Sequence, residues 1–266
     1  MHVRQQAHYL PSIDEEMKMR FLVDLHTHTV ASDHAYSTIN DYVLQAQKNG
    51  IAMFATTDHG PDVPDAPHPW HFGNLRVIPH VVDNIAILRG VEANLRADGT
   101  IDLEDYILDR LDIVLAGFHP SLDPTTEAEH TEIVKKVIAS GKVDIITHLG
   151  NPKYPVDIRA VCECAKEHNV AIELNSSSGI NTRFGSHDNC VKVAKMANEV
   201  GNIIALGSDA HVCYFLGNFK EAEQVIEEAG IRYDKVINTS PMKVLDFLES
   251  RGHKPIESLH NLFTLY

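Results

Sequence analysis

The residues best suited to chemistry in this chain are histidines, and their spacing groups them. The stretch Asp24-Leu25-His26-Thr27-His28 closes the apolar run Phe21-Leu22-Val23. Side chains alternate faces along a strand, so His26 and His28 point the same way. Two imidazoles on one face make half of a metal site. The pairing recurs late in the chain in Gly207-Ser208-Asp209-Ala210-His211, where an acid and an imidazole are again spaced by two. Between these pairs lie His34, in the loop after the first run, and Asp58-His59, Glu92, His119 and His148, each at or just beyond the end of a short apolar run. Asp58 reads equally as a ligand and as a carboxylate that orients an imidazole.

Neutral imidazole mixed with carboxylate suits Zn²⁺, Mn²⁺ or Fe²⁺, whereas Mg²⁺ and Ca²⁺ favour oxygen ligands alone. A catalytic zinc takes roughly three protein ligands. The set His26, His28, His34, His59, Glu92, His119, His148, Asp209 and His211 is therefore too large for one ion and sufficient for two or three. A carboxylate such as Glu92 can bridge two of them. Adjacent ions lower the pKa of a bound water and clamp the oxygens of an in-line displacement at phosphorus. The expected nucleophile is then a metal-bound hydroxide. Competing chemistries lack their motifs: there is no G-x-x-x-x-G-K-[ST] loop and no G-x-S-x-G elbow, and no arginine stands six residues after Cys213.

Such a set needs a scaffold that brings many strand ends to one rim. Apolar runs at Phe21–Asp24, Met53–Thr57, Ile85–Val91, Ile113–Phe118, Val143–Thr147, Val170–Leu174 and Ile203–Leu206 alternate with helical segments. Those segments are Asn40–Lys48, Glu127–Ala139, Arg159–His168, Asp188–Val200 and Phe219–Ala229, most of them stopped by glycine, and a last helix Met242–Glu249 opened by Ser240-Pro241. The pattern predicts one α/β domain, a closed parallel barrel of seven strands, with an open doubly wound sheet as the competing topology. In a barrel of this kind the loops at the C-terminal strand ends form the active face. The longest irregular stretch, Gly60–Trp70, is expected to be functional or loosely packed.

Composition narrows the function class. The chain has 266 residues, 44% of them hydrophobic, and a net charge of −14, which argues against a basic nucleic-acid face. An anionic substrate is still compatible, because metal ions can be the largest positive charges in a site. Four cysteines without C-x-x-C pairing point to a reducing, cytoplasmic setting. No apolar stretch approaches a membrane span. Residues 1–18 are polar and mixed in charge and read as a tail, with Met19 as an alternative start and residues 19–266 as the metallohydrolase domain. His2, His8, His253 and His260 read as surface residues.

The ordered motifs resemble the PHP (polymerase and histidinol phosphatase) superfamily, whose first motif is an H-x-H at the end of the first strand. Here that motif reads Asp24-Leu25-His26-Thr27-His28-Thr29. Thr57-Asp58-His59-Gly60, the Glu92 region, His119, His148 and Ser208-Asp209-Ala210-His211 match the later motifs in order. Val30-Ala31-Ser32 to Ala35-Tyr36-Ser37, Asp65-Ala66-Pro67-His68 through Trp70-His71-Phe72, and Gly150-Asn151-Pro152-Lys153 are similar to its stand-alone bacterial YcdX-like phosphatase branch. The resemblance runs from about residue 21 to 253. It implies a distorted (β/α)7 TIM-like barrel holding three divalent metal ions, usually zinc. In that arrangement His26, His28, Glu92 and Asp209 surround one ion, Glu92, His119 and His148 hold a second, and His34, His59 and His211 a third. Glu92, Asp209 and His211 are expected to be catalytic as well as ligating.

The resemblance also implies a phosphatase for a small phosphorylated metabolite, assembled as a homo-oligomer, a trimer. Arg183, Lys153, His68 and His71 are candidates for substrate contact, weighed against ordinary solvated or loop-packing roles. Within the enzyme class the alternatives are a histidinol-phosphate phosphatase or a nuclease of the same superfamily. A non-catalytic metal-binding module is the alternative of another class.

Overall fold

The computed structural model describes residues 21–178, 183 and 185–264, so the tail expected over residues 1–18 lies outside the described residues. Parallel strands follow one another in chain order: β1 (Val23–Asp24), β2 (Met53–Thr56), β4 (Ile85–Asn94), β5 (Ile113–Gly117), β6 (Ile145–Ile146), β7 (Ala171–Asn175) and β8 (Ile204–Gly207). A short β3 (Val81–Val82) pairs antiparallel with β4. Asp83 and Asn84, both at positive φ, make the two-residue turn between them, as a tight hairpin requires. The helices are α1 (Ile39–Asn49), α2 (Pro69–Asn74), α3 (Asp105–Leu108), α4 (Glu127–Ala139), α5 (Ile158–Glu167), α6 (His187–Val200), α7 (Lys220–Ala229), α8 (Pro241–Ser250) and α9 (Glu257–Thr264).

The sheet curls until β1 meets β8. At the upper end they join directly: Thr27 bridges Ala210, the Asp209 N–H donates to His26 O, and the His28 N–H donates to Ala210 O, each bond 2.9 Å. At the lower end Val236 pairs with Ile204, and the buried Asn238 stitches the edges together. Its side-chain amide donates to Val23 O and Leu206 O while its oxygen accepts from the Leu206 N–H. The barrel reading therefore holds over the open sheet.

Period-two alternation decides what fills the barrel. Val23, Leu25, Met53, Ala55, Ala86, Leu88, Ile113, Leu115, Ile145, Ala171 and Ala205 form the interior cluster, and α8 closes its floor with Val244, Leu245, Phe247 and Leu248. The opposite faces, with Phe54, Ile87, Val91, Val114, Ile146, Ile172 and Leu206, pack against the helices. Each Leu, Ile or Phe buried this way stabilises the fold by about 1.5–3 kcal/mol relative to exposure. Thr38 with Asp41 and Thr126 with Glu129 form capping boxes at the starts of α1 and α4.

Several boundaries differ from expectation. Strand β4 continues to Asn94, so Glu92 sits inside it. The regular ladder of β6 spans only Ile145–Ile146, although Asp144 and Thr147 keep backbone bonds to β5. The irregular stretch from Gly60 ends at α2, where His68 caps the helix and its Nδ1 accepts from the Trp70 N–H. Helices α2, α3 and α9 were too short for a periodic signal. His253 and His260 are half-buried and paired with Asp144 and Glu249, so they are not free surface residues. No helix among the described residues is long and apolar enough to cross a membrane.

Candidate metal centre

The inward rows of the barrel continue upward from apolar residues through a small one to a polar one. They read Ala55-Thr57-His59, Leu88-Gly90-Glu92, Leu115-Gly117-His119 and Ala205-Gly207-Asp209, with the residue between each pair facing outward. The small layer is required sterically. A Cβ on Gly117 would stand 2.2 Å from Thr147 Oγ1 and 2.6 Å from His148 Cε1. His148 and Asp209 turn into the site through left-handed backbone, at φ 34° and 55°. Such conformations cost on the order of 1–3 kcal/mol and persist where the surroundings impose them.

Glu92 is the hub. Its Oε1 lies 2.7 Å from His148 Nε2 and accepts from Thr147 Oγ1 at 3.0 Å. Its Oε2 lies 3.2 Å from His26 Nε2, 3.1 Å from His59 Nδ1 and 3.2 Å from His119 Nε2. His26 and His28 face each other Nε2 to Nε2 at 3.0 Å, and Asp209 Oδ1 lies 3.2 Å from His28 Nε2. His34 and His211 meet at 3.0 Å on the outer side. The structure thus brings together all nine expected ligands. His59 stands between groups, with its ring beside His28, His34 and His119 and its Nδ1 towards Glu92.

These contacts suit cations better than they suit one another. His59 Nδ1 and His119 Nε2 approach Glu92 at hydrogen-bond distance without hydrogen-bond alignment. Buried polar atoms normally find aligned partners, so misaligned lone-pair donors around one carboxylate fit shared ions. Three subsets, His28/His59/His211, His26/His28/Glu92 and His59/Glu92/His119, each bring their donor atoms within 4.8 Å of one another.

The electrostatics agree with this fit. Burial alone would raise the Glu92 carboxyl, yet His26, His119 and His148 hold it well below its ordinary value. Asp209 is likewise held low against burial by Arg183 and His26. Burial, reinforced by the neighbouring imidazoles of His59 and His211, keeps His28 well below the usual histidine range. Burial also brings His148 down to about 4. Neutral imidazoles beside ionised carboxylates are the ligand form of both groups. For His26, burial is outweighed by Glu92, Glu173 and Asp209, which raise its pKa.

Several residues without an expected role support the ligands. Glu173 on β7 lies 2.6 Å from His26 Nδ1. Asp24 accepts from the Ser208, His26 and Gly217 N–H groups, and the Tyr42 hydroxyl donates to His28 O and Ala210 O. Asp65 pairs with His34 Nδ1. Asp58 accepts from the Thr29 N–H and from the Thr29 and Ser32 hydroxyls, which fixes the turn after β1. Among the described residues the imidazole paired with its carboxylate is that of His71, at 3.3 Å, so its placement is that of a turn anchor beside the ligand set. The inward parity of Ala171 and Glu173 was the available signal for Glu173: a carboxylate in an apolar parallel strand is out of place unless partnered.

The candidate substrate residues divide. Arg183 donates through Nη2 to Asp209 Oδ2, with its Nε buried and unpaired. His71 is half-buried against Asp58. His68 is exposed at the start of α2, its ring edge-on to the exposed Trp70. Lys153 is exposed, next to Tyr154, whose hydroxyl donates to His119 O at 2.9 Å.

Comparison with known proteins agrees with this geometry. "Probable phosphatase YcdX" of Escherichia fergusonii is 52% identical over 242 residues, covering 90% of this chain and 99% of that protein. A "Probable phosphatase" of Shewanella pealeana is 52% identical over 241 residues, with 90% and 97% coverage. Histidinol phosphate phosphatase from Lactococcus lactis, solved with zinc, L-histidinol and phosphate, superposes with a TM-score of 0.59 at 17% identity over 80% of this chain and 95% of that one, a likeness of fold. The PHP domain family matches residues 24–253, and the chain belongs to that family.

Proposed function

We propose that the chain is a metal-dependent phosphoric monoester hydrolase whose rim cluster holds three divalent ions, zinc first among them. The observation that carries this reading is Glu92, ringed by four imidazole nitrogens within 3.2 Å, of which those of His59 and His119 are not aligned for hydrogen bonds. Phosphatase names on relatives about half identical over nine-tenths of the chain support the reaction class.

Divalent ions in this cluster would activate water for attack at phosphorus and offset charge on the phosphoryl oxygens. The chain's own residues do the rest. Glu92, with one oxygen towards His148 and the other towards His26, His59 and His119, would hold ions together with these imidazoles. Asp209 and His211, two apart just beyond β8, bring a buried carboxylate and a half-buried imidazole to the cluster. Arg183 offers a planar fork for a phosphoryl group next to Asp209. The exposed His68 and Lys153 and the half-buried His71 are candidate contacts for the rest of a small phosphorylated metabolite.

Residues 19–266 work as one domain in this reading. Cys162, Cys164, Cys190 and Cys213 are all free thiols, which fits a cytoplasmic setting. Assembly of identical chains belongs to the same proposal and is read out by sedimentation. The function is tested by hydrolysis of p-nitrophenyl phosphate before chelation, after it, and after return of Zn²⁺ or Mn²⁺. Activity lost and restored is expected. Activity that survives complete metal removal would overturn the reading.

A further inference from the structure

We infer that Glu173 is a positioning residue of the metal centre, whose one carboxylate sets the tautomer of His26 and clamps the backbone of His148. Ligands expected on two different ions are thereby held by a single group. The inference rests on reading the rim cluster as a metal centre.

Glu173 lies in the middle of β7, among Ala171, Ile172 and Leu174, and is buried. A carboxylate there incurs a desolvation cost that only strong partners can offset. Its Oε1 lies 2.6 Å from His26 Nδ1. Its Oε2 accepts from the His148 N–H at 3.0 Å and from Asn175 Nδ2 at 3.2 Å. Both oxygens are therefore engaged, and Glu173 belongs to none of the three donor subsets described above.

The contact with His26 has a chemical consequence. A carboxylate at Nδ1 requires Nδ1 to carry hydrogen, which leaves the Nε2 lone pair free for coordination. Nε2 is the atom that faces His28 Nε2 at 3.0 Å, Glu92 Oε2 at 3.2 Å and Asp209 Oδ1 at 3.7 Å. The contact also depends on a missing side chain. A Cβ on Gly207 would stand 2.2 Å from Glu173 Oε1 and 2.4 Å from His26 Cβ. Residue 207 must be glycine for strand β8 to let these two groups meet.

The second oxygen acts on backbone. His148 enters the site at φ 34°, a conformation that favours glycine. Its N–H is anchored by Glu173, and its Nε2 reaches Glu92 Oε1 at 2.7 Å. One carboxylate thus fixes the ring of the first ligand histidine and the peptide of another, 122 residues later by sequence number (148 − 26).

The test is zinc titration of the metal-stripped full chain against a chromophoric chelator, for wild type, Glu173→Gln and Glu173→Asp. Melting of each apo chain is followed by circular dichroism. In Glu173→Gln the amide can accept from His26 only by turning its NH2 towards the His148 N–H, so one contact must fail. Zinc affinity is expected to fall about 10–100-fold, as for other carboxylates behind metal-bound histidines. The visible spectrum of the Co²⁺-loaded chain is expected to change. Glu173→Asp, which withdraws the carboxylate by one methylene, gives the same reading should the Gln variant not fold. Folded variants with wild-type zinc affinity and an unaltered cobalt spectrum would overturn the inference alone, even with lowered apo melting temperatures. A wild-type chain that takes up no zinc would overturn the metal-centre reading and this inference with it.

Discussion

His34 and His211 stand 177 residues apart in sequence and meet through their Nε2 atoms at 3.0 Å on the outer face of the barrel. They are also the exposed end of the ligand set, with side chains 43% and 29% accessible. An ion held here would be open to solvent and to an incoming substrate. His34→Ala is expected to lower the zinc content by one ion per chain while the melting temperature stays close to wild type, because surface substitutions usually stay within about 0.5 kcal/mol. Asp65→Asn, which removes the carboxylate on His34 Nδ1, should weaken the same ion about 10-fold or more. Elemental analysis after dialysis reads both, and unchanged metal content in His34→Ala would count against the assignment.

Arg183 is in contact with the cluster through Asp209. A guanidinium that also binds the substrate phosphoryl group contributes about 1.5–3 kcal/mol through charged hydrogen bonds. Arg183→Ala should therefore raise KM for p-nitrophenyl phosphate, and the inhibition constant of inorganic phosphate, by roughly ten- to a hundredfold. A wild-type phosphate inhibition constant in this variant would remove Arg183 from substrate binding.

His253 offers a pH-dependent handle away from the metal ligands. Burial opposes its charge, but the Asp144 carboxylate, 2.9 Å away, raises its pKa above the ordinary value near 6.5. A histidine raised on folding contributes stability that is fully present below the unfolded pKa. That contribution is lost as pH rises through the folded pKa. The difference in melting temperature between wild type and His253→Gln is expected to be largest near pH 6 and to shrink at higher pH. Equal differences across the range would show that the pair is not ionised in the fold.

Asn238 substitutes for the missing lower ladder between β1 and β8. Its truncation to Ala removes this partner from Val23 O, Leu206 O and the Leu206 N–H, of which Leu206 O keeps a 3.4 Å bond from the Leu25 N–H. A buried polar group left unsatisfied costs about 1–3 kcal/mol, so Asn238→Ala should destabilise the chain by roughly 2–4 kcal/mol. Chemical denaturation measures this directly, and a loss below about 0.5 kcal/mol would mean that the seam does not depend on it.

The side-chain cluster was legible because its spacing is simple. His26/His28 and Asp209/His211 share the spacing of two, and His59, Glu92, His119 and His148 each sit in or just beyond a run of buried strand residues, with His34 in the loop after β1. The helices with glycine ends were legible for the same local reason: Gly50, Gly201 and Gly230 all adopt left-handed backbone as C-caps. What escaped is non-local. Glu173 and Asp24 lie inside apolar runs, and their partners come from strands far away in sequence. Asn238 sits in a short 3-10 turn with no pattern to mark it. Asp58 was ambiguous in sequence because a carboxylate next to a ligand histidine looks alike whether it holds an ion or a turn; Thr29 and Ser32 decide its placement.

Among the described residues the direct backbone join between the first and last strands is a few bonds; the two at 2.9 Å lie among His26, His28, Asp209 and Ala210, and a longer one, at 3.4 Å, runs from the Leu25 N–H to Leu206 O. The ring of strands is thus fastened by the same short stretch that carries ligands from its two ends. Ions held by ligands from both sides of that line would act as a clasp on the barrel as well as reagents. A stripped chain should breathe there first, with the His28 and Asp209 amide hydrogens exchanging before those of β4 and β5, and refilling the site should close the line again.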